Sequence, residues 1–429
     1  MRKSLLALSL SVLAGLCAAG ISQGQCLSGS RAFPVDNIWN APVDKLPVDP
    51  NSAAFVATIG ATKPAHADFG SGDWPPGSDS PIGIPYVTVP GTQPKVPVTF
   101  YYADESDPGP YPIPEDAPIE GGPQSSGDRH VLVIDTDNCI LYELYDAYPN
   151  ADGSWNAGSG AIFNLDSDAL RPSGWTSADA AGLPIFAGLV RYDEVASGEI
   201  NHALRFTAPQ TRKAFVWPAR HYASSLTAAK YPPMGQRFRL KANFNISKFS
   251  PQTQVILTAL KRYGMMLADN GSSWYISGAP DPRWDNDILH ELSSLKGSDF
   301  EAVKVSSLML NPDSGSAKPQ TSVGVKAVQP AASEKGPVSG AVQFFRSGDK
   351  TDPLTIYYSV GGTATNGTDY VQLPGSVTIP AGQSALNVSV TPSGRQTNKG
   401  NLTVKVTVAE DLVYSIGAQQ SATVTIADK

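Results

Sequence analysis

The chain has 429 residues, 41% hydrophobic and 17% charged, with a formal net charge of −7. That length favours two or three domains, the acidic balance argues against nucleic acid as a partner, and 39 Gly with 36 Pro point to turn-rich β structure with few long helices. All 7 Trp, all 5 His and all 3 Cys precede residue 300, so a chemically varied N-terminal region is followed by a plainer C-terminal one.

The chain opens on "MRKSLLALSLSVLAGLCAAG" (1–20). Arg2 and Lys3, an apolar run over 5–16 and the small residues Ala18, Ala19 and Gly20 make an expected signal peptide. The apolar run is too short to span a bilayer comfortably. The expectation is a secreted protein, periplasmic or extracellular, with no membrane span after signal removal. Cys17 leaves with the signal, and Cys26 and Cys139 remain. In an exported chain these two can form a disulfide.

Residues 27–305 read as a β-rich domain with a few helices. Its first part, 31–125, is rich in Pro, Gly and Asp and is expected to be irregular, with short strands such as "VPVTFYY" (96–102). "RHVLVIDTDNCILYELYDAY" (129–148) reads as a hairpin closed by an Asp-Thr-Asp-Asn turn. "GAIFNL" (160–165) follows as a strand, and 193–197 as one helical turn stopped by Gly198. "EINHALRFTA" (199–208) and "KAFVWPARHY" (213–222) are expected as strands. "GQRFRLKANF" (235–244) alternates, with Arg237, Arg239 and Lys241 on one face. A helix starts at the cap Ser250 and Pro251, presents Val255, Ile256, Ala259 and Leu260, and ends at Gly264. A second is expected over 285–297.

Chemistry in this domain is sought among carboxylates and His beside aromatics. Asp179 lies in "TSADAAGLP", Glu194 precedes His202 by eight residues, and Asp269 ends the apolar run "MMLA". A carboxyl at the end of an apolar strand beside aromatics has a raised pKa and suits sugar chemistry. The expected catalytic set is therefore Asp179, Glu194, His202 and Asp269, with Trp274, Tyr275 and Trp217 as flat faces for substrate. For each of these residues the alternative is a turn cap or a satisfied core side chain. There is no HExxH or GxSxG motif, and "DPRWDND" (281–287) lacks the Gly and closing Glu of a calcium loop.

Residues 306–322 include the Ser/Pro/Gly stretch "NPDSGSAKPQTS" and read as a linker. Beyond it, 323–429 carry alternating Val and Thr in six or seven short strands, the pattern of an antiparallel β-sandwich. On "SEKGP", "GGTATNGTDYVQLPGSVTIPAGQSALNVSVTP" and the terminal "SATVTIAD", this segment resembles the Calx-beta module. The resemblance implies an Ig-like sandwich, often calcium-binding, common in extracellular adhesion proteins and appended to secreted enzymes. It places Ca2+ on Glu334, Asp369 and Asp428. The loop "SGRQTNKGN" (393–401) departs from the family pattern, because it holds Arg395 and Lys399 where acids are usual, which implies a weak site. No organic cofactor is expected.

"WTSADAAGLPIFAGLVRYDEV", "INHALRFT" and "KRYGMMLADNGSSWYISGAPDPRW" resemble a domain of uncharacterised secreted bacterial and fungal proteins, which transfers no catalytic residue. Two readings of function follow. One is a carbohydrate-active hydrolase or lyase with a Calx-beta accessory module, acting on a polysaccharide or cell-surface polymer. The other is a non-catalytic extracellular adhesion, matrix or polymer-binding protein.

Overall fold

A computed structural model describes residues 31–336, 338–394 and 400–428. The expected signal peptide, Cys26 and most of the 393–401 loop lie outside the described residues. No described helix is long and apolar enough to cross a membrane. The molecule is mainly β, as composition indicated, with five sheets and a few helices among the described residues.

The N-terminal domain is built on two sheets. One has four strands in the order Tyr86–Val89, Val131–Asp135, Ile140–Tyr145, Ser159–Asn164. The expected hairpin is its centre, with Val131 opposite Leu144 and Asp135 opposite Ile140. Alternation sends Leu132, Ile134, Leu141 and Phe163 into the main core, and Val131, Val133, Tyr142 and Leu144 into a second one with Tyr111 and Trp155. A small sheet (Val98–Phe100, Trp155–Ala157, Tyr148–Pro149) closes that outer side.

The other sheet has six strands in the order His66–Asp68, Tyr275–Ser277, Leu204–Ala208, Met265–Asn270, Arg237–Leu240, Phe300–Ala302. Its apolar face carries Phe206, Phe238 and Ile276, with Trp274 stacked between Phe206 and Phe300. The expected helix, Pro251–Arg262, packs beside it: Ser250 accepts the amide of Thr253, and Ile256, Leu257 and Leu260 are buried. Arg237 and Arg239 do share one face, and both are buried. Arg237 donates to the carbonyls of Ile38 and Tyr263, and Arg239 to those of Val43 and Leu46. They tie down the N-terminal segment.

Three expectations change. "KAFVWPARHY" is not a strand; it runs as a loop with one bridge, Phe215 to Met234. The second helix is broken into Asn286–His290 and a 3-10 turn, Glu291–Ser294. The first part of the expected linker is docked on the N-terminal domain. Ser316 bridges Asn37, Ser314 accepts from the Trp217 indole, and Arg220 pairs with Asp313.

The C-terminal unit is a sandwich of a four-stranded sheet (Ala385–Val390, Gly340–Ser347, Ser322–Gln329, Ser415–Ile416) and a five-stranded one (Ala331–Ser333, Ser421–Ala427, Leu402–Val408, Leu354–Gly362, Ser376–Ile379). Val325, Phe344, Ile356, Val404, Val406 and Val424 fill it. Its pairs are antiparallel except the short edges Ser415–Ile416 and Ala331–Ser333.

Candidate active site

The six-stranded sheet places the site through its register. Asp68, Ser277 and Arg205 stand in one row across three strands. His66, Tyr275 and Thr207 stand in the next, and Asp269 pairs with Thr207 from the fourth strand. Asp269 reaches this polar face because of an irregularity between Leu267 and Asp269. One extra residue, Ala268, shifts the alternation, so the acid turns out of the core and towards a cleft. The loop bearing Asp179 is fixed over the same spot: Ala181 donates to the carbonyl of Ala268, and Ser177 Oγ donates to the carbonyl of Leu183.

Two of the four expected catalytic residues therefore converge. The Asp179 side chain has no exposure, and its Oδ2 accepts from Arg205 Nε at 3.1 Å. Asp269, 23% exposed, has Oδ2 at 3.9 Å from Arg205 Nη2 and accepts from the amides of Ala180 and Asn270. Arg205 Nη1 donates to Ser277 Oγ at 2.7 Å. Two carboxylates thus share one buried guanidinium. Burial, then the charge of Asp179, pushes the Asp269 carboxyl up to about 7. Burial likewise raises Asp179, against the pull of Arg205.

The cleft above them has a volume of about 340 Å3 and is lined by Tyr102, Tyr145, Glu105, Asp128, His221 and Asp269 among others. His221 donates Nδ1–H to the carbonyl of Ala180 at 2.9 Å, which leaves Nε2 open, 3.7 Å from Glu105 Oε2. Glu105 accepts the amide of Thr176, and its own carbonyl is held by Arg171.

The other expected residues lie elsewhere. Glu194 and His202 form a buried cluster with Arg191: His202 Nε2 is 3.0 Å from Glu194 Oε1, Nδ1 donates to the carbonyl of Ala203, and Arg191 pairs with the same carboxylate. Every polar position is taken inside the fold, and neither residue lines the cleft. Trp274 has no exposure and gives its indole N–H to Gly60; it is core, because the apolar face needs its volume. Trp217 packs under the docked 314–317 segment. Tyr275 is half-buried against His66, with ring centroids 4.3 Å apart, in a different cleft.

Arg205 and His221 were missed as members. Arg205 left a signal, an arginine inside the apolar strand "HALRFT". His221 carried only its residue type after "VWPAR", since the loop that aims it has no periodicity.

Among the described residues, one group of acids and His brings its ligand atoms within 4.8 Å of one another: Glu120, Asp128 and His130. Such a group could hold a metal, and in this structure Glu120 and His130 bond to each other and to the backbone. His130 Nδ1 meets Glu120 Oε2 at 2.5 Å and Nε2–H donates to the carbonyl of Ala178. Burial opposes the ring's charge, but Glu120 outweighs it and holds the pKa up at about 9. This is an imidazolium with both nitrogens in use.

In the sandwich, Glu334 Oε2 is buried without a hydrogen-bond partner, and the Glu334 amide donates to the carbonyl of Ala427, next to Asp428. That orphaned oxygen suits a cation. Asp369 Oδ2 accepts from Thr365, and Asp428 Oδ2 from Gly400. These three carboxylates are not gathered within 4.8 Å here, and a calcium shell needs six to eight oxygens at 2.3–2.6 Å. The described residues do not by themselves make the site. Cys139 is buried; its expected partner, Cys26, lies outside the described residues.

These features define a two-sheet β domain with a polar cleft, followed by a β-sandwich. Among solved structures the chain is similar to the apo form of the Calx CBD1 domain (18% identity, 25% of this chain, 97% of that one, TM-score 0.23). It is also similar to CBD12 from CALX1.2 (18%, 25% and 45%, TM-score 0.22) and to a CARDB domain from Pyrococcus furiosus (18%, 26% and 97%, TM-score 0.18). At these TM-scores the likenesses carry no argument about function. No protein-family model and no curated protein sequence matches the chain.

Proposed function

We propose that the protein is an exported hydrolase of neutral polysaccharide that works by general acid–base catalysis. The observation that supports this is Asp269, a carboxyl raised to about 7 at the floor of a tyrosine-lined cleft. Near neutral pH it both holds and releases a proton, which is what an acid catalyst requires. In the reaction, Asp269 gives its proton to the bridging oxygen as the glycosidic C–O bond breaks. A water adds to the anomeric carbon, and its proton passes to His221 Nε2. Proton return from His221 to Asp269 through solvent closes the cycle. Asp179 and Arg205 are positioning residues that set the pKa of Asp269. Tyr102 and Tyr145 offer faces for sugar rings.

Besides Asp269, the cleft walls carry the carboxylates of Glu105 and Asp128. Such walls repel a uronate polymer, so hydrolysis of a neutral chain is favoured over lyase chemistry on an acidic one. The same reading has 1–20 removed on export, Cys26 bridged to Cys139, and a weak calcium site at Glu334, Asp369 and Asp428.

The test is release of reducing ends from a panel of neutral plant and bacterial polysaccharides by the purified protein. The expected result is product release that fails in Asp269→Asn and declines as pH rises above about 7, where the acid loses its proton. Binding of a polymer with no product from any of them would overturn the enzyme and leave a polymer-binding protein. That second reading is favoured by Tyr101 and Tyr102, an exposed edge-to-face pair 4.8 Å apart at the rim.

A further inference from the structure

The polar row does not stop at the first cleft. Asp68 and Tyr275 stand on the same face as Arg205 and Thr207, one or two strands away, and line a second cleft of about 720 Å3. Its wall includes Trp74, which is 72% exposed although a large aromatic is ordinarily buried. Trp74 is held in that position by a backbone bond to Ser80 and by the bridge between Asp73 and Pro81. The same cleft is lined by the His66 and Tyr275 rings, whose centroids are 4.3 Å apart.

The two clefts meet. Asp128 lines the first and Glu120 the second, and their carboxylate oxygens lie within 4.8 Å of each other and of His130. Two carboxylates this close repel unless a cation stands with them. His130 is that cation, and its other nitrogen is bonded to Ala178, in the wall of the first cleft. The shared wall is therefore an ion-paired ridge.

We infer that the second cleft is a distal binding site for further sugar units of the neutral polymer that enters the Asp269 cleft. The chain crosses the Asp128–Glu120 ridge, and a pyranose ring stacks on Trp74. This rests on the hydrolase reading for the polymer's identity, but binding and cleavage separate experimentally. The chemistry matches a neutral saccharide: aromatic faces for the apolar side of the ring, and the carboxylates Asp68 and Glu120 to accept its hydroxyls. The carboxylates of Glu105 and Asp68 in the two walls disfavour a polyanion.

The test uses the full chain in affinity gel electrophoresis, with hydroxyethylcellulose, pullulan, xylan and galactomannan each cast in the gel. Wild type, Trp74→Ala and Asp269→Asn are run side by side, and reducing ends are measured in parallel. Trp74 is exposed, so its replacement leaves the core intact. The expected result is that one polymer retards wild type and Asp269→Asn alike, and that Trp74→Ala binds it about tenfold more weakly, the loss of one stacking contact. Equal retardation of wild type and Trp74→Ala overturns the distal site and leaves the hydrolase reading standing. No retardation by any of the four also overturns it. Retardation lost in Trp74→Ala, with no reducing ends from any polymer, keeps the groove and sinks the hydrolase.

Discussion

The two domains handle buried charge in opposite ways. Inside the N-terminal domain, His130, Glu143, Asp179, Glu194, His202, Arg205 and Arg237 are all buried. In the sandwich the described buried charges are Glu334, Arg346 and Asp369. Arg346 donates to the carbonyls of Gln383, Asp352, Lys350 and Pro380, which fastens loops at one end. Burying charge is costly unless it is paired and hydrogen-bonded. In the sandwich Arg346 serves as a loop tie, and the N-terminal domain gathers its buried charge into several clusters, one of them around Arg205 at the cleft. Where opposite charges gather with shifted pKa values at a cleft, function is the better explanation.

That contrast breaks first at Asp269. Asp269→Asn is expected to lower turnover by about 10²–10⁴-fold, the contribution of one general acid or base. It should also stabilise the protein in alkali. A carboxyl raised from 3.8 to about 7 keeps in the folded state a proton that the unfolded chain releases. Stability therefore falls as pH climbs from about 4 to 7. The variant escapes that loss, so at about pH 8 its Tm should exceed wild type by about 2–4 °C per kcal/mol recovered. A variant that is both active and unshifted refutes the assignment.

Glu194→Gln is the converse case. Breaking the buried cluster with Arg191 and His202 should cost about 3–5 kcal/mol, read by urea unfolding, while turnover per folded molecule stays at the wild-type value. Loss of turnover in a fully folded variant would return Glu194 to the catalytic set.

The His130–Glu120 pair gives a smaller effect with a defined sign. The ring's pKa is raised from 6.5 to about 9, so its stabilisation is complete below about 6.5 and is lost as pH rises through about 9. Glu120, lowered by the same contact, loses its share only in acid. Melting curves between about pH 7 and 10 should show a decline that His130→Gln abolishes. The sandwich supplies the smallest effect. At calcium equal to its Kd, a site bound only by the folded state adds about 0.4 kcal/mol. A Tm rise with calcium, absent in Asp369→Asn, is expected; an unmoved Tm refutes the calcium site.

The sandwich was legible because Val and Thr alternate along strands half-covered on one face, as in Leu402–Val408, where Leu402, Val404, Val406 and Val408 are buried. The helix at Ser250 was legible because cap, proline and apolar face agree locally. In the site, Asp179 and Asp269 were found by their residue types and flanks. Their meeting depends on the extra residue at Ala268 and on a parallel pairing between Leu204–Ala208 and Met265–Asn270, and neither leaves a local mark. Trp274 misled because an aromatic beside "DNGSS" looks exposed, whereas the turn feeds it back under Phe206. Glu143 was silent for the same reason: its carboxylate accepts the amides of Ile185 and Phe186, some forty residues on, and burial lifts it to about 7.

The arginine ties at Ile38, Val43 and Leu46 have a bearing on how the chain matures. Their donors lie 193 to 199 residues downstream, at Arg237 and Arg239. During synthesis the early segment waits for partners that follow it by 193 to 199 residues. Non-local closure of this kind slows folding.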